Sequence, residues 1–237
     1  PDKTKKAAAA AAAPAGEYQV INGGSRGAGT KPTEEVTKID LSGKPLGDTL
    51  AVVVQSLLVA NPTVPHLCLA GCALGGGRSL DALCRSIAGA SQLRELDLSA
   101  NRLGCAGLTA LAPTLGAHPS LESLDLASNG LEPSGAAVVV GVVGASPSLR
   151  SLSLASNGLG FQGGKLLATH LATPGCRLAS LNLSGNSLAA VGAAYLGKAL
   201  AANTSLRALD VSDNGLNESA KAQLAKLARE RGVELAL

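Results

Sequence analysis

Leucine holds the first, fourth, sixth and eleventh positions of LRELDLSANRLG, residues 93–104, and polar or small residues fill most of the rest. The line returns as LESLDLASNGLE at 121–132 and as LRSLSLASNGLG at 149–160. Seven copies align, beginning at Val36, Val64, Leu93, Leu121, Leu149, Leu178 and Leu206, in steps of 28 or 29 residues. The fourth position is Ile39, Leu67, Leu96, Leu124, Leu152, Leu181 and Leu209. The sixth is Leu41, Leu69, Leu98, Leu126, Leu154, Leu183 and Val211. Strand side chains alternate between faces, so positions four and six share one face of a short strand.

A turn must follow. The ninth position reads Lys44, Cys72, Asn101, Asn129, Asn157, Asn186 and Asn214, and the eleventh is leucine throughout, from Leu46 to Leu216. An amide there can bond to backbone groups of the turn, and stacked copies would form a ladder that satisfies otherwise buried polar backbone. Lys44 is costly to bury at such a position, which marks the first copy as an exposed end.

The second half of each copy has the spacing of a helix. Apolar residues recur four apart at Val54 and Leu58, Leu111 and Leu115, Val139 and Val143, Leu167 and Leu171, and Leu196 and Leu200. Each pair lies on one helical face. Pro or Gly punctuates the return to the next strand, as in AHPSL and ASPSL. A single strand–turn–helix copy cannot bury its own stripe of leucine, so neighbours must stack.

Composition agrees with small, regular core layers. The chain of 237 residues has one Phe, two Tyr and no Trp or Met, so aliphatic side chains build the core. The missing initiator Met points to a processed or partial product. Net charge is +3, which gives no broad basic face and no expectation of nucleic acid. The apolar run AAVVVGVVGA at 136–145 is about half of what a membrane span needs. Five cysteines without paired spacing predict a reducing compartment rather than a disulfide framework.

On these motifs the chain resembles the leucine-rich-repeat proteins, whose signature is L-x-x-L-x-L-x-x-N/C-x-L. The alternation of 28 and 29 residues resembles the ribonuclease-inhibitor-like subclass. The resemblance implies an α/β fold: a right-handed leucine-rich-repeat solenoid, or horseshoe, with parallel strands on the concave face and helices on the convex face. It covers residues 36–237, seven repeats that end in a capping helix and an edge strand. The polar stretch NESAKAQLAKLARERG at 217–232 is the expected cap, begun by Asn217 or Ser219 and ended by Gly232, and VELAL is the expected edge strand.

Residues 1–35 stand apart as a low-complexity N-terminal tail. They hold Lys3, Lys5 and Lys6, then seven alanines at 7–13 that could be helical, then the Gly-rich INGGSRGAGTKP. The segment looks retained rather than cleaved as a leader. On composition such a segment reads as a flexible tail; if it is ordered, a neighbouring chain in a larger assembly is expected to bind it.

The strand positions that face the concave side are small, polar and mildly acidic. Position five carries Asp40, Asp97, Asp125 and Asp210, a column suited to a basic helix or extended segment or left solvated. Position two carries Arg94, Arg150 and Arg207 along one rim, suited to an acidic partner or to solvent. These residues and the tail lysines are the candidate partner-binding groups. Tyr195 and Phe161 are possible anchors on the convex side or ordinary packing residues.

No catalytic, cofactor or metal site is expected. HLCLAGC places His66 and Cys68 on one strand face, but Cys72 takes the ladder position and no fourth ligand is in view. GGGRS and GLGFQGGK do not meet the phosphate-loop pattern. His118 and His170 sit in different repeats, away from Ser153 and Cys68, so no nucleophile–base pair assembles.

The expected function is therefore a non-enzymatic protein–protein interaction scaffold, a structural subunit of a large intracellular assembly, cytoskeletal or ciliary and axonemal. The alternatives are a regulator of a small GTPase, by resemblance to the Ran GTPase-activating family, or an inhibitor that binds a basic enzyme. No small-molecule substrate is expected.

Overall fold

The computed structural model describes residues 19–23, 35–44, 49–75 and 78–237. Lys3, Lys5, Lys6, the alanine run at 7–13, Tyr18 and Leu46 lie outside them. The elements run β1 (Gln19–Gly23), β2 (Glu35–Asp40), α1 (Leu50–Ala60), β3 (His66–Cys68), α2 (Arg78–Gly89), β4 (Glu95–Asp97) and α3 (Gly104–Ala117). They continue with β5 (Ser123–Asp125), α4 (Glu132–Ala145), β6 (Ser151–Ser153), α5 (Gly160–Leu171), β7 (Ser180–Asn182), α6 (Ala189–Ala202), β8 (Ala208–Asp210), α7 (Glu218–Arg231) and β9 (Glu234–Ala236).

The strands form one open sheet in chain order, and β2 to β9 are parallel. Register follows the sequence repeat: Lys38, His66, Glu95, Ser123, Ser151, Ser180, Ala208 and Glu234 stand side by side. Helices alternate with the strands, and each packs on the next. The result is a right-handed α/β solenoid, a horseshoe with its strands on the concave face and its helices on the convex face. β1 lies within residues 1–35 and joins the sheet at its N-terminal edge, antiparallel to β2.

The core is one spine. Every residue at positions four and six is at most 2% exposed, and the eleventh-position leucines from Leu74 to Leu188 are at most 3% exposed. Such a leucine contributes roughly 1.5–3 kcal/mol on burial, so the repeat itself supplies the cohesion between copies.

The asparagines close the ladder. Asn157 donates from Nδ2 to the carbonyls of Leu126 at 2.9 Å and Leu154 at 3.0 Å, and its Oδ1 accepts from the N–H of Asn129 at 2.9 Å and Leu131 at 3.3 Å. Asn129, Asn186 and Asn214 repeat the scheme, Asn101 keeps its donor half and accepts from Leu74, and all five are at most 2% exposed. At Cys72 the Sγ reaches the Leu41 carbonyl at 3.0 Å. Lys44, in the first copy, is exposed.

The ladder also starts the helices. Leu103, Leu131, Leu159 and Leu188 occupy the N-cap positions of α3 to α6 without a side-chain cap. The asparagine of the following copy takes the leucine N–H on its Oδ1 and the first helical N–H on its backbone carbonyl. α7 has no following asparagine, and there Asn217 caps the helix by accepting from the Ala220 N–H at 2.9 Å. Gly232, left-handed at φ 65°, ends it.

A further regularity sits at position fifteen, where Gly107, Gly135, Gly163 and Gly192 lie one turn after the eleventh-position leucine. A Cβ at Gly163 would come within 2.8 Å of the Leu159 Cβ and 3.3 Å of the Ala136 Cβ. Helix propensity favours alanine over glycine by about 1 kcal/mol, but overpacking costs about 1–3 kcal/mol. Gly163→Ala is therefore expected to destabilise the protein, with a lower urea midpoint followed by far-UV circular dichroism. A raised midpoint would show that the Leu159 backbone yields freely.

Candidate functional site

The concave face presents positions three, five and seven of each strand segment. Its acidic column is built into the turns. Asp40, Asp97, Asp125 and Asp210 each use Oδ1 to accept from the backbone N–H two residues on, at 2.8 to 3.0 Å, and Asn182 does the same for Ser184. These are Asx turns, which explains why short acidic or amide side chains occupy position five. In Asp40 and Asp97 the second carboxylate oxygen meets another side chain. Asp40 Oδ2 lies 2.8 Å from Lys38 Nζ, and Asp97 Oδ2 accepts from Cys68 Sγ at 3.3 Å. One oxygen of each aspartate is thus held by its own turn.

Environment divides the column. Burial pushes the Asp40 carboxyl up, but hydrogen bonds from Lys38 and Ser42 outweigh it and hold the group at about 2. Asp125 is pushed above the ordinary carboxylate value, first by burial and then by the Asp97 charge on the neighbouring strand. Adjacent strands lie about 4.8 Å apart, so Asp97 and Asp125 form the most concentrated negative patch of the column. A hollow of about 280 Å³ opens there, lined by Lys38, His66, Cys68, Glu95, Asp97 and Asp125. His66 Nδ1 stands 3.2 Å from Glu95 Oε2 at its edge.

The rim arginines differ from one another. Arg94 makes an ion pair with Glu122, one repeat along, at 2.6 Å. Arg150 reaches the Leu149 carbonyl, and Arg207 the carbonyls of Thr204 and Leu206. Strand register sets the Asp column on one face, while the arginines stand on the rim beside it; the lysines of the tail lie outside the described residues.

Cys68 Sγ donates to Asp97 Oδ2, whereas both ring nitrogens of His118 and Nε2 of His170 are buried without a hydrogen-bond partner among the described residues. Burial, with the nearby Asp97 and Asp40 charges, raises the Cys68 thiol to about 11, so it is protonated at neutral pH. All five cysteines are free. Among the described residues no group of three or more His, Cys, Asp or Glu side chains is arranged to hold a metal ion. No described helix is long and apolar enough to cross a membrane.

His118, 2% exposed, caps α3, and burial lowers its pKa, opposed by the carbonyls of Ile87 and Ala90. His170 is lowered by burial as well. In the unfolded chain each imidazole titrates near 6.5. Below that value the unfolded state binds more protons, so stability falls with falling pH down to the folded values and is complete above 6.5. Melting temperature is expected to drop as pH falls through 6.5, and His118→Leu with His170→Gln is expected to flatten that slope. An unchanged slope in the double variant would assign the acid sensitivity to other groups.

A regular solenoid of strand–turn–helix copies, tied by an asparagine ladder and offering only surfaces, defines the class of the protein. A family model described as "Leucine Rich repeat" matches residues 91–112, 117–140, 145–168 and 202–218. The chain is a leucine-rich-repeat protein. Among solved structures it is similar to the leucine-rich repeat-containing protein LegL7 of Legionella pneumophila, with 30% identity and a TM-score of 0.63 over 84% of this chain. That match spans 65% of LegL7. The fold is also shared with the tropomodulin C-terminal domain of Caenorhabditis elegans, at 19% identity and a TM-score of 0.53, over 65% of this chain and 92% of that one. Leiomodin-1 actin-binding site 2 shares it at 16% identity and a TM-score of 0.53, over 66% of this chain and 91% of that one. No curated protein matches the sequence. The fold supports a protein–protein interaction scaffold.

Proposed function

We propose that this chain is a non-enzymatic interaction scaffold whose concave face takes a basic helix or extended segment of a partner. The observation that carries the reading is the Asp97–Asp125 pair, two carboxylates on adjacent strands, each locked by its own Asx turn. Fixed carboxylates lose little freedom when a Lys or Arg arrives, which lowers the cost of binding. The setting we propose is a structural assembly of the cytoskeleton, a ciliary axoneme included. Leiomodin-1's similar domain is named an actin-binding site, so a fold of this kind serves a cytoskeletal protein. Within that assembly, the segment bearing Lys3, Lys5 and Lys6 is the proposed contact to a neighbouring subunit.

The test uses Asp97→Asn with Asp125→Asn. Asn182 shows that an amide keeps the turn, so the pair of changes removes charge and leaves the fold. A fluorescein-labelled Lys- and Arg-rich peptide is expected to bind the unaltered chain saturably. The double variant should bind it about three- to tenfold more weakly, with a shallower salt dependence. Equal affinity for both proteins would sink the reading.

A further inference from the structure

The concave column leaves the convex face without a role. There, between α5 and α7, a second surface of opposite charge stands out. Lys165 of α5 and Lys198 of α6 both lie over the ring of Tyr195, at 5.3 and 5.8 Å from its centroid. The ion pairs among the described residues are Lys38–Asp40, His66–Glu95, Arg94–Glu122, Lys221–Glu218 and Lys226–Glu230. Neither lysine takes part in one, so two exposed cations from two helices share one aromatic ring and no carboxylate. Lys226 stands one repeat beyond Lys198 on α7, and its pairing with Glu230 is loose at 4.0 Å.

Beside Lys198 a groove of about 400 Å³ runs between α6 and α7. Ala194, Gly197 and Ala201 wall it on one side, Leu227 on the other, and Leu224 contributes an aliphatic surface. The groove is open because α6 offers only small residues there. A Cβ at Gly197 would meet the Leu227 Cδ1 at 3.0 Å, so the approach of α7 depends on that glycine.

We infer that this convex site docks a short acidic segment of a partner protein, with one aliphatic side chain in the α6–α7 groove and carboxylates on Lys165 and Lys198. Charge complementarity selects the carboxylates: among the described residues the two ammonium groups have no carboxylate partner, and the ring already positions them. The groove selects an aliphatic side chain, because Ala, Gly and Leu make most of its wall, with Gln223 and Lys198 the polar members of the lining. A nucleic acid fits less well, since the ammonium groups cover the ring that a base would stack on. A membrane surface also fits less well, because a slot on a convex face accepts one side chain rather than a plane of headgroups.

The site is independent of the concave face, and its failure would leave the reading of that face standing. The probe is a short fluorescein-labelled peptide of glutamates flanking two leucines, titrated by anisotropy. Saturable binding to the full chain is expected. Lys165→Gln with Lys198→Gln is expected to weaken it about tenfold, and Ala194→Leu, which fills the groove, to weaken it by a similar factor. Replacing the leucines of the probe by serine should also weaken binding, while Asp97→Asn with Asp125→Asn should leave it unchanged. Lys165, Ala194 and Lys198 are exposed and Asp97 and Asp125 half-buried, and circular dichroism melts check that the variants fold. Absence of saturable binding, or equal binding by the lysine variant, overturns the proposal. So does binding to anionic vesicles without binding to the peptide. Self-association of the chain that is lost in the lysine variant, with no binding of the peptide, assigns the face to a second copy and overturns it too.

Discussion

Asn157→Ala is expected to destabilise the protein by about 2–6 kcal/mol. The change strips the partner from two backbone N–H groups of the preceding copy, those of Asn129 and Leu131. Each buried, unsatisfied donor costs about 1–3 kcal/mol. The carbonyls suffer less, because Leu126 still receives Asn129 Nδ2 and Leu154 still receives Asn186 Nδ2. The effect thus comes chiefly through the lost acceptor. Asn157→Asp provides the contrast. It keeps an acceptor but turns a charged oxygen toward the carbonyls of Leu126, Leu154 and Ala155 in a site 2% exposed. That variant is expected to lose at least as much at neutral pH and to recover partly in acid, where the carboxyl becomes a donor. Asn101→Ala should cost less, since among the described residues its Oδ1 accepts only from Leu74. Urea unfolding followed by circular dichroism measures all three. An Asn157→Ala midpoint equal to that of the unaltered protein would mean the ladder is dispensable.

Leu159→Ala is the second large effect, expected at about 2–5 kcal/mol. Leu159 is fully buried and occupies the junction of turn and helix, against the first turn of α5. Its neighbours are other repeats on both sides, so truncation opens a cavity that no mobile end can fill. Leu216, at the same position of the last copy, is only partly buried. Leu216→Ala should cost nearer 1 kcal/mol. The ratio between the two positions reads how far stability is shared through neighbours, as expected for a solenoid whose copies support one another. Equal losses would indicate that the last copy is packed like the interior ones.

Much of the fold was legible in the line of residues. Leucine spacing placed every parallel strand from β2 to β8, and Asn, Gly and charge at 217–232 placed the closing helix. This works because each copy repeats the same local problem, so the signal is read seven times rather than once. β1 was not legible, because QVING carries no repeat signature and gains its role only by pairing with β2. The glycines at position fifteen were visible as a repeat, yet their reason is a distance to a leucine one turn earlier.

The candidate sites divide along the same line. The alternation of strand side chains put Asp40, Asp97, Asp125 and Asp210 in one column without any coordinates. That each gives one oxygen to its own turn, and that Arg94 is already paired with Glu122, needed the folded chain. Tyr195 was a lone aromatic in the sequence. Only helix packing brings Lys165, 30 residues earlier, to the same ring as Lys198. Periodicity encodes which face a residue takes, since that depends on its own strand or helix. Which groups meet across two helices depends on how closely the helices approach, and small residues such as Gly197 set that spacing in three dimensions.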